Sequence, residues 1–273
     1  MRHPEPSVYA AYLSSAVETF GTLADPWVDS RPDSTAQGEL AEARKFALGD
    51  GVWGETPVRE AYAVAASGYS AALDLGRAMT AVLASEALTA LPAMALAHSI
   101  SRVCSQTWWL LDPDAGAKGR VERLQCLRLR GSLGARPVAE SGENEGHPHH
   151  QTAIGDVFEH SRTLGLDKPR MDGPFCVCGT QRMPPAANLV AAMVDDLEMD
   201  PAYSVLEGFS RGDLFALRQA FESGRVSQVV HPVMDERMLF SAVSISVRCL
   251  FAAAARFVDL FGLEVSWTDF QQI

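Results

Sequence analysis

The chain has 273 residues, of which 47% are apolar and 21% charged, and its formal charge is -11. A chain of that length can bury about three quarters of the surface it exposes when unfolded, so its core needs neither disulfides nor metal, and the composition is that of an ordinary globular protein rather than a disordered or membrane one. The acidic balance argues against nucleic acid as a partner, because a phosphate backbone would be repelled.

From Val8 to Leu23 the apolar residues Tyr9, Tyr12, Leu13, Val17 and Phe20 recur at three- and four-residue spacing, which predicts an amphipathic helix. A polar stretch rich in Pro, Ser and Asp over 26–37 reads as a loop. A short helix follows over Glu39 to Leu48, stopped by Gly49-Asp50-Gly51. Residues 58 to 85 are dominated by Ala, Leu, Val and Met, and predict a central helix whose small side chains permit close packing. Pro92 suits the first turn of the next helix, which runs to about Leu111 and ends at Asp112-Pro113.

Lys118 to Leu133 predicts a helix in which Arg120, Arg123, Arg128 and Arg130 alternate with Val121, Leu124, Leu127 and Leu129. It is the one strongly basic segment. Only three positive residues are lysine (Lys45, Lys118, Lys168), so positive charge is almost entirely planar guanidinium, suited to bidentate pairing. Residues 134–150 have the composition of a flexible loop. A helix over Thr152 to Leu164 precedes an irregular stretch, 167–185, which is expected to be a loop and is the one place for a short extended segment. Helices are then expected over Ala186–Leu197, Tyr203–Ser223 and Asp235–Phe261. The absence of strand–helix alternation predicts an all-α multi-helix bundle forming a single domain over 1–273.

The apolar stretch from Met238 to Phe261 carries Arg248 and Arg256, which would be costly in a bilayer, so a buried helix is expected rather than a membrane span. The N-terminus lacks the apolar core of a secretory signal, which predicts a cytoplasmic protein. Five cysteines (Cys104, Cys126, Cys176, Cys178, Cys249) are an odd, scattered set that fits reduced thiols, three of them within helical patterns.

Several short motifs could carry chemistry. Gly208-Phe209-Ser210-Arg211-Gly212 matches the G-x-S-x-G nucleophile elbow, but no buried strand precedes it and no parallel sheet surrounds it. His147, His149 and His150 with Cys176 and Cys178 offer imidazole and thiolate for zinc, although C-x-C is not the usual ligand spacing and His-Pro-His-His suits a solvated loop. Asp195, Asp196 and Asp200 could hold Mg²⁺ for diphosphate chemistry, since Asp196 and Asp200 lie one helical turn apart. The bland alternative is an acidic helix end running into Pro201.

That acidic segment resembles the aspartate-rich motif of class I terpene synthases, which are also all-α, with the spacing D-D-x-x-x-D in place of D-D-x-x-D. The resemblance implies a Mg²⁺-dependent enzyme acting on an isoprenoid diphosphate. Arg225 to His231 is similar to the R-x₄₋₆-H motif of HEPN ribonucleases, with Val226 where a polar residue is usual; it implies a degenerate nuclease. A third resemblance spans the middle and C-terminal two thirds. His98 to Arg102, leading into Trp108-Trp109-Leu110-Leu111-Asp112-Pro113, then Arg120 to Leu124 and Tyr203 to Gly212, looks like a group of uncharacterised helical proteins from actinobacteria. The group carries no function over, and this chain has Glu207 and Arg211 where the group has serine and histidine.

His98, Arg102 and Trp109 fall near one face of one helix. An arginine on such a face requires a partner, for which Asp112, Glu122 and Glu207 are candidates, or else it serves a ligand. The leading expectation is a binding or accessory protein whose helices enclose a partly apolar pocket for an apolar small molecule, or form a homodimer interface. Arg102, Tyr203 and Arg211 are its polar groups.

Overall fold

A computed structural model describes residues 6–22, 30–48, 51–85, 90–134, 146–195, 206, 208 and 236–264. The fold is mostly helical, as the sequence pattern predicts. Helix α1 (Pro6–Gly21) is followed by α2 (Thr35–Ala43), the two-residue strands β1 (Ala47–Leu48) and β2 (Gly51–Val52), α3 (Thr56–Leu83) and α4 (Ala90–Leu110). A single 3₁₀ turn at Pro113–Ala115 leads into α5 (Gly116–Gly134), and α6 spans Gly146–Thr163. Strands β3 (Arg170–Asp172), β4 (Phe175–Cys178) and β5 (Gln181–Met183) precede α7 (Ala186–Asp195) and α8 (Glu236–Phe261).

Helix α3 is central for a local reason. Its buried residues Val58, Ala61, Tyr62, Ala65, Tyr69, Ala72, Leu73, Gly76, Met79 and Leu83 follow the helical period. Small residues among them let neighbours approach: a Cβ at Gly76 would stand 2.6 Å from Val17 Cγ2 of α1. Helix α4 packs on α3 and α8, and aromatic rings join α3 to α8. The Tyr62 and Phe261 rings are 5.1 Å apart, and those of Tyr69 and Phe257 are 5.2 Å apart. Each such buried ring contributes about 1.5–3 kcal/mol through removal of apolar surface from water.

Two elements differ from expectation. The short helix expected over Glu39–Leu48 instead spans Thr35–Ala43: it begins earlier because Ser34 caps it, its Oγ accepting from the Gln37 N–H at 3.3 Å, and Ala47–Leu48 of the expected span are strand, paired with Gly51–Val52. The expected loop at 167–185 instead contains an antiparallel sheet of order β3-β4-β5. Its two tight turns are made by Gly173 and Gly179, with φ of +59° and +54°. The strands are too short to show alternation in sequence, and they form because one face lies against α5.

The flexible loop expected at 134–150 is narrower, since α6 starts at Gly146; residues 135–145 lie outside the described part. Of the helix expected over Tyr203–Ser223, only Leu206 and Gly208 are described, and both are helical. Within α8, Met238–Phe261 is long and apolar enough to cross a membrane by length and composition, and 56% of its most apolar window is buried against the rest of the fold.

Helix α5 is anchored by an ionic group in the core. Arg120 and Glu39 are almost fully buried, and the guanidinium spans both carboxylate oxygens at 2.6 Å. Arg120 also donates to the carbonyls of Leu110 and Asp112, the free acceptors at the end of α4. The Tyr62 hydroxyl donates to Glu39 Oε2 at 2.6 Å. Arg123 braces the same helix end by pairing with Asp112 at 2.9 Å and stacking over Trp109.

Candidate functional site

Between α3, α4 and α5, and closed on one side by β5, lies a cavity of about 490 Å³. Helix α4 presents Arg102, Gln106 and Leu110 to it, residues four apart and therefore on one face. Helix α5 contributes Leu124, Leu127, Arg128, Arg130, Gly131 and Gly134. The floor is apolar and buried, formed by Ala65, Leu110, Leu124 and Met183. Arg102 and Gly131 are exposed at its mouth.

The three arginines at the cavity differ in how their charge is met. Arg128 is paired with Glu60, and its Nη1 donates to His160 Nδ1 at 2.7 Å, which fixes that ring nitrogen as an acceptor. Among the described residues Arg130 donates to backbone alone, to the carbonyls of Pro184, Pro174 and Met183. Among the described residues no carboxylate faces it. Burial lowers the Arg130 pKa, the thiols of Cys176 and Cys126 offset part of that, and the charge of Arg102 lowers it again. Arg102 forms no ion pair with a described residue. Two guanidinium charges with no carboxylate partner among the described residues therefore share one edge of an apolar cavity, an arrangement suited to an anion.

Of the residues expected to bind a ligand, Arg102 lines the cavity, while Tyr203 and Arg211 lie outside the described residues. The partners expected for Arg102 are occupied elsewhere: Asp112 pairs with Arg123, and Glu122 accepts from the N–H and hydroxyl of Thr180, each at 3.1 Å. Glu207 is outside the described part. Asp195 ends α7; its side chain, Asp196 and Asp200, the residues expected to hold Mg²⁺, lie outside the described residues.

The same holds for Ser210, Gly212, Arg225 and His231. His147, His149 and His150 belong to α6 rather than a loop, their side chains undescribed. Cys176 and Cys178 are buried on β4. Among the described residues no three His, Cys, Asp or Glu side chains gather closely enough to hold a metal.

Arg130 and the glycines at Gly131 and Gly134 were not singled out by sequence reasoning. A signal exists: Leu127, Arg130, Gly131 and Gly134 recur at three- and four-residue spacing and form a stripe of α5 in which large apolar residues give way to glycine. No protein-family model, curated protein or solved structure matches the chain.

Proposed function

We propose that this chain is a binding protein for a small, largely apolar molecule that carries an acidic head group. The observation that supports it is the pairing of Arg102 and Arg130, both without a described carboxylate partner, at the edge of a cavity walled by Ala65, Leu124, Leu127 and Met183. The volume, about 490 Å³, lies within the ordinary range for ligand sites. The apolar portion of the ligand would lie against the leucines, and its anion would meet the guanidinium groups, with Gln106 as a further polar contact.

Anilinonaphthalene sulfonate, which joins aromatic rings to an anion, is a direct probe. Its fluorescence should rise on binding to the unaltered protein. Gly131→Leu should weaken the rise strongly, because Gly131 lines the cavity at its mouth and a bulky side chain there would narrow the entrance. Arg102→Gln should weaken binding by roughly tenfold or more, as expected for loss of a charge-assisted contact. Equal binding by all three proteins, or none by the unaltered chain, overturns the proposal.

A further inference from the structure

We propose that Cys126 and Cys176 form a reversible oxidation site that closes to a disulfide when hydrogen peroxide enters the cavity. The two residues are 50 positions apart and belong to different elements, α5 and β4, yet the Cys126 Sγ donates to the Cys176 carbonyl at 3.5 Å. Both thiols are fully buried there, and each perturbs the titration of the other. With the Cys126 sulfur already against the Cys176 backbone across a helix–strand interface, closure to a disulfide would proceed by side-chain rotation.

The two thiols have unequal surroundings. The Cys176 thiolate is favoured by the hydrogen bond from Cys126, by the Arg130 charge and by the Val177 N–H, against the cost of burial. Cys126 is pushed strongly up, by the same shared hydrogen bond and by burial. Cys176 is therefore the nucleophile and Cys126 the resolving thiol.

Access runs through the cavity rather than the outer surface. Met183 lies directly across the sheet from Cys176, so their side chains share a face, and Met183 lines the cavity. Arg130 lines it too, one helical turn beyond Cys126. A peroxide molecule in the cavity is one side chain away from the pair. The other thiols are set apart. Cys178 donates to the Asp167 carbonyl and is pushed up to about 12 by burial and Glu122. Cys104 and Cys249 lie in the helical core, with thiols pushed up by burial.

The chemistry balances. The Cys176 thiolate attacks one peroxide oxygen, the O–O bond breaks, and the leaving hydroxide takes a proton to become water. Cys126 then attacks the sulfenic sulfur; the S–S bond forms, the S–O bond breaks, and a second water leaves with the Cys126 proton. Two thiols are oxidised by two electrons and one peroxide is reduced. The inference depends on the cavity and not on which ligand occupies it.

The test exposes the full-length protein to hydrogen peroxide, alkylates the remaining thiols and maps its peptides by mass. A cross-linked pair joining Cys126 to Cys176, cleaved by dithiothreitol, is expected, with Cys104 and Cys249 alkylated only after unfolding. Cys126→Ser should leave Cys176 as an over-oxidised acid with no cross-link. Gly131→Leu, which leaves both thiols in place, should slow cross-linking several-fold. Native protein in which both cysteines stay reduced, a cross-link between other cysteines, or an unchanged rate in Gly131→Leu overturns the proposal.

Discussion

Arg120 and Glu39 meet in the core from α5 and α2, 81 positions apart, with side chains 0% and 4% exposed. Four hydrogen bonds from one guanidinium satisfy Glu39 and two carbonyls at the end of α4, so the pair fixes three helices at once. Burial costs such a pair several kcal/mol in lost hydration, which the bidentate geometry and added acceptors offset. It sets the register in which α4 and α5 can flank the cavity.

Removing one member should therefore be severe. Arg120→Met leaves the Glu39 carboxylate buried without its counter-charge and should lower unfolding free energy by about 3–5 kcal/mol. The double variant Arg120→Met with Glu39→Leu should recover much of that loss. Urea denaturation of the two proteins measures it, and a single variant within about 1 kcal/mol of the parent contradicts the account.

Gly179 and Gly173 provide an internal comparison, because both turns have positive φ. A Cβ at Gly173 meets nothing within 4 Å, whereas at Gly179 it runs into the Glu122 carboxylate. Gly173→Ala should cost about 1–2 kcal/mol from backbone strain alone. Gly179→Ala should cost clearly more and should break the Glu122–Thr180 contacts. Similar thermal melting for the two variants would show that the Glu122 contact contributes nothing.

Gln125 is fully buried, and neither its Oε1 nor its Nε2 has a hydrogen-bond partner among the described residues. A desolvated carboxamide without partners costs about 1–3 kcal/mol. Gln125→Met keeps the length of the side chain and removes the polar atoms, so it should raise the urea midpoint. A lower midpoint would mean that the carboxamide has a favourable partner.

Acid should destabilise the fold through Asp112. Burial pushes its carboxyl up, but the Arg123 charge, the Asp114 N–H and the Arg123 hydrogen bond outweigh that, and its pKa is depressed. A depressed carboxyl contributes stability that is present above its unfolded value, about 4, and is lost as pH falls through the lower folded value. Melting temperature should hold from neutral pH down to about 5 and fall below about 4. Asp112→Asn should flatten that fall; an unchanged profile would rule Asp112 out as its source.

The sequence by itself determined the helices, because their signals are local. Three- and four-residue spacing in α1, α3 and α8 and the Asp112-Pro113 stop after α4 act within one or two turns of the chain. The basic character of α5 was equally plain. Only tertiary structure decided what each arginine does. Arg120 became a core ion pair, Arg123 a brace at the end of α4, Arg128 a partner of Glu60, and Arg130 an arginine facing carbonyls at a cavity.

Those roles depend on partners 8 to 81 residues away, which no local pattern encodes. The three-stranded sheet is illegible in the sequence for the same reason: strands of three or four residues carry too little alternation, and burial of Cys176, Cys178 and Met183 exists only once α5 covers them. The cavity follows likewise. It lies where α3, α4 and α5 meet, with Gly131 and Gly134 at its lining, a spacing fixed by packing between helices rather than by any one of them.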